Sequence, residues 1–307
     1  MPSSEFSLIS RYFSALGAGP AVELSVGDDC AILSLGENER LATSVDTMLS
    51  GVHFPEDAFP EDIGYRVVAA AVSDLAAMGA RPLGMTLALT LPEADDFWLN
   101  AFSQGLAVAA KAFAIPLVGG DTTRGPLTIT VQVMGALPAG QGLLRTGANA
   151  GDEFYVSGSI GDAAAALAFL NDDWQPQPDH AEYLLQRFYR PAPPLQLGQE
   201  LLIMGATAAI DISDGLLADA GHIAAASGVR IVIDPDLLPL SESLQVFPKR
   251  SQALLWAFTG GDDYELCFTL PAGSPAPNGC TRIGQVCAGE GVDCGMDIDT
   301  ATGYRHF

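Results

Sequence analysis

Six short acidic clusters are spread along the chain: Gly27-Asp28-Asp29, Ser44-Val45-Asp46, Ser73-Asp74, Gly119-Gly120-Asp121, Asp211-Ile212-Ser213-Asp214 and Gly260-Gly261-Asp262-Asp263. A single Gly-Asp pair usually marks a turn. Here each cluster closes an apolar strand or lies in an apolar helix, and together they point to a metal-binding site. Asp74 is the clearest case, because its segment, VVAAAVSDLAAMG, must form a largely buried helix. A buried carboxylate costs several kcal/mol unless something pairs with it. Arg66 and Arg81 stand about two helical turns away, so a cation is the expected partner. Oxygen-only ligands favour magnesium, manganese or calcium over zinc or copper, and no HExxH or paired CxxC competes. Asp46, Asp74 and Asp121 are expected to lie together.

The glycines of GGDTTRGP and GGDDYEL would let backbone approach a ligand closely, as phosphate loops require. No GxxxxGK[ST] occurs, and Lys111 and Lys249 are the only lysines, so a P-loop enzyme is excluded. The protein-kinase motifs are absent too. If nucleotide phosphates bind, metal ions and a few arginines must neutralise them, with Arg124 and Arg145 beside glycine turns as candidates.

The elements that must position these residues alternate between strand and helix patterns. Ala31 to Leu35, Arg40 to Val45, Leu83 to Leu91 and Leu127 to Leu137 read as strands. Asp62 to Gly79, with Asp62 as N-cap and Gly79 as stop, and Asp95 to Ala114 read as helices. After a break at Pro138 to Gly142 come a strand at Glu153 to Ser157 and an alanine-rich helix at Gly161 to Leu170. Further strands follow at Ala208 to Ile212, Val229 to Ile233 and Tyr264 to Leu270. The expected organisation is two α/β domains, residues 1–140 and 149–307.

Composition limits the partners. The chain has 307 residues, 49% of them hydrophobic, and a formal net charge of -23 from 37 acidic and 14 basic residues, enough apolar content for two cores. That balance argues against nucleic acid and anionic membrane, and no segment reaches the ~18 apolar residues of a span. Five cysteines without a CxxC pair are expected as reduced thiols in a cytoplasmic protein.

At these motifs the chain resembles the thiamine-monophosphate kinases, within the aminoimidazole ribonucleotide synthetase-like superfamily. The resemblance runs from EFSLISRYF to GYRHF and is carried by VGDDCA, SVDTMLSGVHF, AVSDLAAMGA, VGGDTTRGP, RTGANAGD, AIDISDGL and TGGDDYELCF. It implies a two-domain α/β (α+β) fold with an N-terminal mixed sheet pairing in a homodimer and a C-terminal α/β sandwich. It implies several Mg2+ ions held by Asp29, Ser44, Val45 through its carbonyl, Asp46, Asp74, Asp121, Asp211 and Asp214. Gly120, Asp121, Arg145 and Ser213 match nucleotide positions, and His53, Asp262 and Tyr304 match positions contacting thiamine phosphate. Val45 stands where relatives often have Thr, and Asp262 where Glu is common.

The implied reaction is ATP-dependent phosphorylation of thiamine monophosphate to thiamine diphosphate, the last step of thiamine diphosphate biosynthesis. The acceptor is a phosphate monoester with a second pKa of ~6, already ionised at neutral pH, so a general base is unnecessary and none is assigned. Bringing two polyanions together in line is a problem of positioning and charge neutralisation. The rival readings are a sister ATP-dependent synthetase and a non-catalytic metal-binding regulatory protein. Retention of all six acidic clusters argues against the second.

Overall fold

The computed structural model describes residues 5–298, which form two compact units. The first comprises the chain up to Leu75 and Ala80–Gln141; the second comprises Ala76–Gly79 and the chain from Gly142 onward.

The first unit runs α1 (Glu5–Tyr12), β1 (Val22–Leu24), β2 (Ile32–Leu33), β3 (Glu39–Leu49), α2 (Pro60–Met78), β4 (Arg81–Leu91), α3 (Asp96–Ala112), β5 (Leu117–Arg124) and β6 (Thr128–Pro138). Four strands make a mixed sheet in the order β3-β6-β4-β5. β6 is antiparallel to both neighbours, and β5 runs parallel to β4. Strand periodicity divides the side chains between two faces. Ile129, Val131 and Val133 are buried with Met85, Leu87 and Leu89, while Thr47 bonds Thr130 and Thr90 bonds Thr123 on the other face. Helices α2 and α3 approach at backbone contact: a Cβ on Gly105 would sit 1.9 Å from the Glu61 carbonyl oxygen, and one on Gly64 2.4 Å from that of Phe102.

Two expectations for this unit need correction. Helix α2 begins at Pro60, whose fixed φ and missing N–H suit the first helical position. Asp62 is therefore not the N-cap; with Glu61 it lies in the first turn, where acid favours the helix dipole. The segment read as a glycine phosphate loop is strand β5, paired to β4 from Leu117 to Arg124. Neighbouring hydrogen bonds override the low strand propensity of its glycines.

The second unit contains β7 (Glu153–Ser157), α4 (Asp162–Leu170), α5 (Pro178–Tyr189), α6 (Leu195–Met204), β8 (Ala208–Asp211), α7 (Leu216–Ser227) and β9 (Arg230–Ile233). It continues with α8 (Glu242–Gln245), α9 (Arg250–Thr259), β10 (Leu266–Leu270), β11 (Cys280–Cys287) and β12 (Gly291–Asp293). The sheet order is β12-β9-β11-β7-β10-β8. One face packs Phe154, Ile210, Ile231 and Ile283 against Ala166, Phe188, Ile223 and Phe258. The other packs Tyr155 and Phe268, stacked at 5.5 Å, against Leu201. Apolar side chains on both sides make a sandwich of sheet and helices.

Arg187 of α5 enters this unit beside three buried carboxylates. One of its terminal nitrogens donates to Glu265 at 2.9 Å and to the Ser159 carbonyl at 3.1 Å. Its Nε lies 3.6 Å from Asp162. Hydroxyls of Ser159, Tyr183 and Ser241 also donate to Asp162, and that of Ser157 to Glu265. Asp263 accepts the Gly161 N–H at 2.7 Å at the start of α4. Removing one partner from a buried ionic set typically costs ~3–5 kcal/mol. Arg187→Met is expected to lower unfolding stability by that order in urea titrations, and a loss under ~1 kcal/mol would show that the set is not held by this arginine.

Candidate active site

In the first unit β3 and α2 bring Ser44, Asp46 and Asp74 together. The Ser44 hydroxyl donates to Asp74 Oδ2 at 2.5 Å, a strand-to-helix contact thirty residues apart in sequence. Asp46, two residues further along β3 and so on the same face, is pushed up to about 6, first by burial and then by the negative charge of Asp74. Arg81 is not the partner of Asp74, since it ion-pairs with Glu39 at 2.8 Å. The Val45 side chain points to the opposite, open face and is 59% exposed.

Asp121 does not join that pair. It lies on the far edge strand, in register with Ala88, three strand positions from β3 and roughly 14 Å away at ~4.8 Å per strand. It also shares a face with Thr123, which bonds Thr90 on the open face. Asp121 instead lines a cleft of about 440 Å³ with Asp28, Asp29, Gly119 and Gly120, walled by Ile9 and Phe13. Gly120 is required there by its neighbour strand, because a Cβ would lie 2.0 Å from the Leu87 carbonyl oxygen. The first unit therefore carries two acidic subsites. His53 lies elsewhere, in the turn after β3, where its Nδ1 accepts the Leu49 N–H at 3.1 Å. That bond places the proton of the neutral ring on Nε2. Arg124 ends β5, with its Nε donating to the Pro92 carbonyl.

In the second unit β8 ends at Asp211, and Ser213, Asp214 and Gly215 lead into α7. The Gly260–Tyr264 segment docks on this turn: Asp262 N–H donates to the Ser213 carbonyl at 2.9 Å and Tyr264 N–H to that of Ile212 at 2.8 Å. These bonds bring Ser213, Asp214 and Asp262 to one end of the β8–β10 pair. Asp262 (φ +69°) and Tyr264 (φ +51°) are both left-handed, and the Tyr264 hydroxyl donates to Asp262 Oδ1 at 2.9 Å. Bulky residues are seldom left-handed, and such strain concentrates where geometry serves a site.

Sequence reasoning missed Asp219. Its carboxylate is buried and is pushed up to about 8, first by burial and then by Asp211 and Asp214. One oxygen each of Asp214 and Asp219 and one ring nitrogen of His222 lie within 4.8 Å of one another. Asp219 and His222 are one helical turn apart on the segment following the AIDISDGL motif, a spacing that by itself does not distinguish them from ordinary helix residues. Arg145 is placed differently, with its backbone carbonyl accepting from Ser227 at the far, C-terminal end of α7 and its side chain exposed. Tyr304 lies outside the described residues.

These donor sets fit magnesium. Their ligands are hard oxygens with a histidine only at the rim, and a divalent cation would relieve the burial and Asp74 charge that hold Asp46 above the usual carboxylate range. Without metal, Asp46 opposes folding once ionised. Its folded pKa lies above the unfolded value near 3.9, so stability is greatest below pH ~4 and falls as pH rises through about 6. In magnesium-free buffer at pH 7, Asp46→Asn is expected to stabilise the protein by on the order of 2 kcal/mol, with the gain vanishing near pH 4. A destabilised variant at pH 7 would show that Asp74 does not press on it.

Residues 27–137 match the family described as AIR synthase related protein, N-terminal domain. The thiamine-monophosphate kinase of Salmonella typhimurium is 49% identical over 273 residues, covering 88% of this chain and 84% of that protein. Among solved structures, thiamine-monophosphate kinase from Stenotrophomonas maltophilia matches with a TM-score of 0.84 at 44% identity, covering 92% of this chain and 93% of the other. AaThiL complexed with AMPPCP and TMP matches with a TM-score of 0.83 at 32% identity over 89% of each chain. The two units accordingly have the AIR synthase-like fold, and the chain belongs to the thiamine-monophosphate kinase family.

Proposed function

We propose that this chain transfers the γ-phosphoryl group of ATP directly, in line, to the phosphate of thiamine monophosphate. The observation that carries the reading is the solved relative, 32% identical over 89% of both chains, that holds AMPPCP and TMP together. The acidic subsites described above supply the matching chemistry. Magnesium, held by Asp29, Ser44, the Val45 carbonyl, Asp46, Asp74, Asp121, Asp211 and Asp214, would supply the positive charge that two facing polyanions need.

The chain's own residues bind and orient. Gly120 leaves room for a close approach at the edge of β5, and Ser213 offers a hydroxyl to the nucleotide. Arg145 extends a planar guanidinium suited to phosphate oxygens. His53, its ring held through Nδ1 by the Leu49 N–H, is assigned to the substrate phosphate. Asp262, oriented by Tyr264, suits the cationic thiazolium, and Tyr304 is assigned to the same moiety. No residue is needed as a base, since the acceptor oxygen is already ionised at neutral pH.

The active form is proposed to be a homodimer joined through the first unit. Strand β3 is eleven residues long at a sheet edge, and its open face exposes Leu41 (53%), Val45 (59%) and Leu49 (40%). Long apolar edges of this kind are covered in native proteins. Sedimentation should find a dimer at micromolar concentration and a monomer for Leu41→Lys; a wild-type monomer would refute the assignment. No helix among the described residues is long and apolar enough to cross a membrane.

The activity itself is tested by incubating the protein with ATP, thiamine monophosphate and magnesium and separating the products. Thiamine diphosphate is expected, with turnover of Asp74→Asn lower by about 10²-fold or more, as when one transition-state charge stabiliser is removed. Absence of thiamine diphosphate, or near-normal turnover of the variant at low magnesium, would overturn the proposal.

A further inference from the structure

Asp219 has no role in the reading above, yet its environment is the most specific in the second unit. Its Oδ2 accepts three successive backbone N–H groups, those of Ser213, Asp214 and Gly215, each at 3.1 Å. The side chain comes from the first turn of α7 and is 2% exposed. Consecutive N–H groups at a helix start form a ready anion receptor, the arrangement by which many nucleotide-binding loops cradle phosphate. Here the receptor is filled from within the protein.

We infer that Asp219 is a positioning residue that reserves the Asp211–Gly215 turn for cations by occupying the three amides a phosphate oxygen would otherwise take. With those donors consumed, the turn presents the Asp211 and Asp214 carboxylates and the Ser213 hydroxyl, and nucleotide phosphates meet it through a metal ion or that hydroxyl. The same contacts fix the bend of the turn, whose Ser213 carbonyl in turn receives the Asp262 N–H. Asp219 thus couples the metal-binding turn to the segment bearing Asp262. The Asp219 carboxyl also lies within 4.8 Å of an Asp214 oxygen, so the residue that fixes the turn sits beside a carboxylate that the turn presents. This inference rests on the proposed magnesium role of Asp211 and Asp214.

Kinase turnover of the full chain is measured against free magnesium, with and without millimolar inorganic sulfate at fixed free magnesium, for wild type, Asp219→Ala, Asp219→Asn and Asp214→Asn. Asp219→Ala is expected to raise half-saturating magnesium by ~10–100-fold, the usual cost of removing a group that orients metal ligands. It should also acquire sulfate inhibition that wild type lacks, because the three freed amides then accept an anion. Asp219→Asn keeps an acceptor oxygen and should recover most of both effects, whereas a purely structural loss would lower the melting temperature without creating sulfate sensitivity. If Asp219→Ala shows neither change while Asp214→Asn needs more magnesium, the inference fails and the metal reading stands. If neither variant alters magnesium dependence, both fail. Should Asp219→Ala not fold, amide hydrogen exchange on the wild type decides: strong protection of Ser213, Asp214 and Gly215 supports the inference, and exchange at open-loop rates overturns it.

Discussion

Repulsion between neighbouring carboxylates is the constraint on which both units depend. Oxygens of Asp214 and Asp219 lie within 4.8 Å of each other, and burial, with Asp211 and Asp214 beside it, pushes the Asp219 carboxyl up to about 8. Packing and backbone contacts of the whole unit hold them together against that cost. The three amides on Asp219 work against that shift, each hydrogen bond to a charged group contributing ~1.5–3 kcal/mol, but they do not cancel it. Arg187 does the equivalent for Asp162 and Glu265.

The acids of the first unit are handled differently. Asp74 receives the Ser44 hydroxyl, but Asp46 is shaped by burial and by Asp74, and both raise its pKa. A carboxyl left in this state binds a divalent cation readily, because the ion removes repulsion already present in the fold. The difference separates acids that hold structure from acids available to ligands. Asp162, Asp219, Asp263 and Glu265 are buried and supplied with donors from the chain, whereas Asp29 and Asp121 are exposed along a cleft.

Much of the fold could be read from local patterns. The alternation of TITVQVMGAL predicts β6, the apolar run to Met78 predicts α2, and Gly79 stops that helix with a left-handed φ of +72°. Strands β5 and β11 were hidden for opposite reasons. Strand β5 carries glycines that argue for a loop, yet its pairing with β4 dictates the strand and makes Gly120 obligatory against Leu87. Strand β11 contains Arg282 and Gly284 and lacks clean alternation, so only its neighbours β7 and β9 define it.

For the site, the sequence alone determined which residue types are present and therefore the class of chemistry: clustered hard oxygen ligands, two lysines, no P-loop, and motifs particular enough to indicate the family. It could not decide which carboxylates meet. Ser44, Asp46 and Asp74 come together because α2 lies across one face of β3, while Asp121 goes to the other face of the far edge strand. Nor could it separate Asp219 from an ordinary helix aspartate, since the difference is three hydrogen bonds accepted from backbone N–H groups across a turn. Local propensity and composition are properties of neighbours in the chain, whereas ligand sets are properties of strand order and helix packing. Those depend on contacts between residues tens of positions apart, and only the folded chain fixes them.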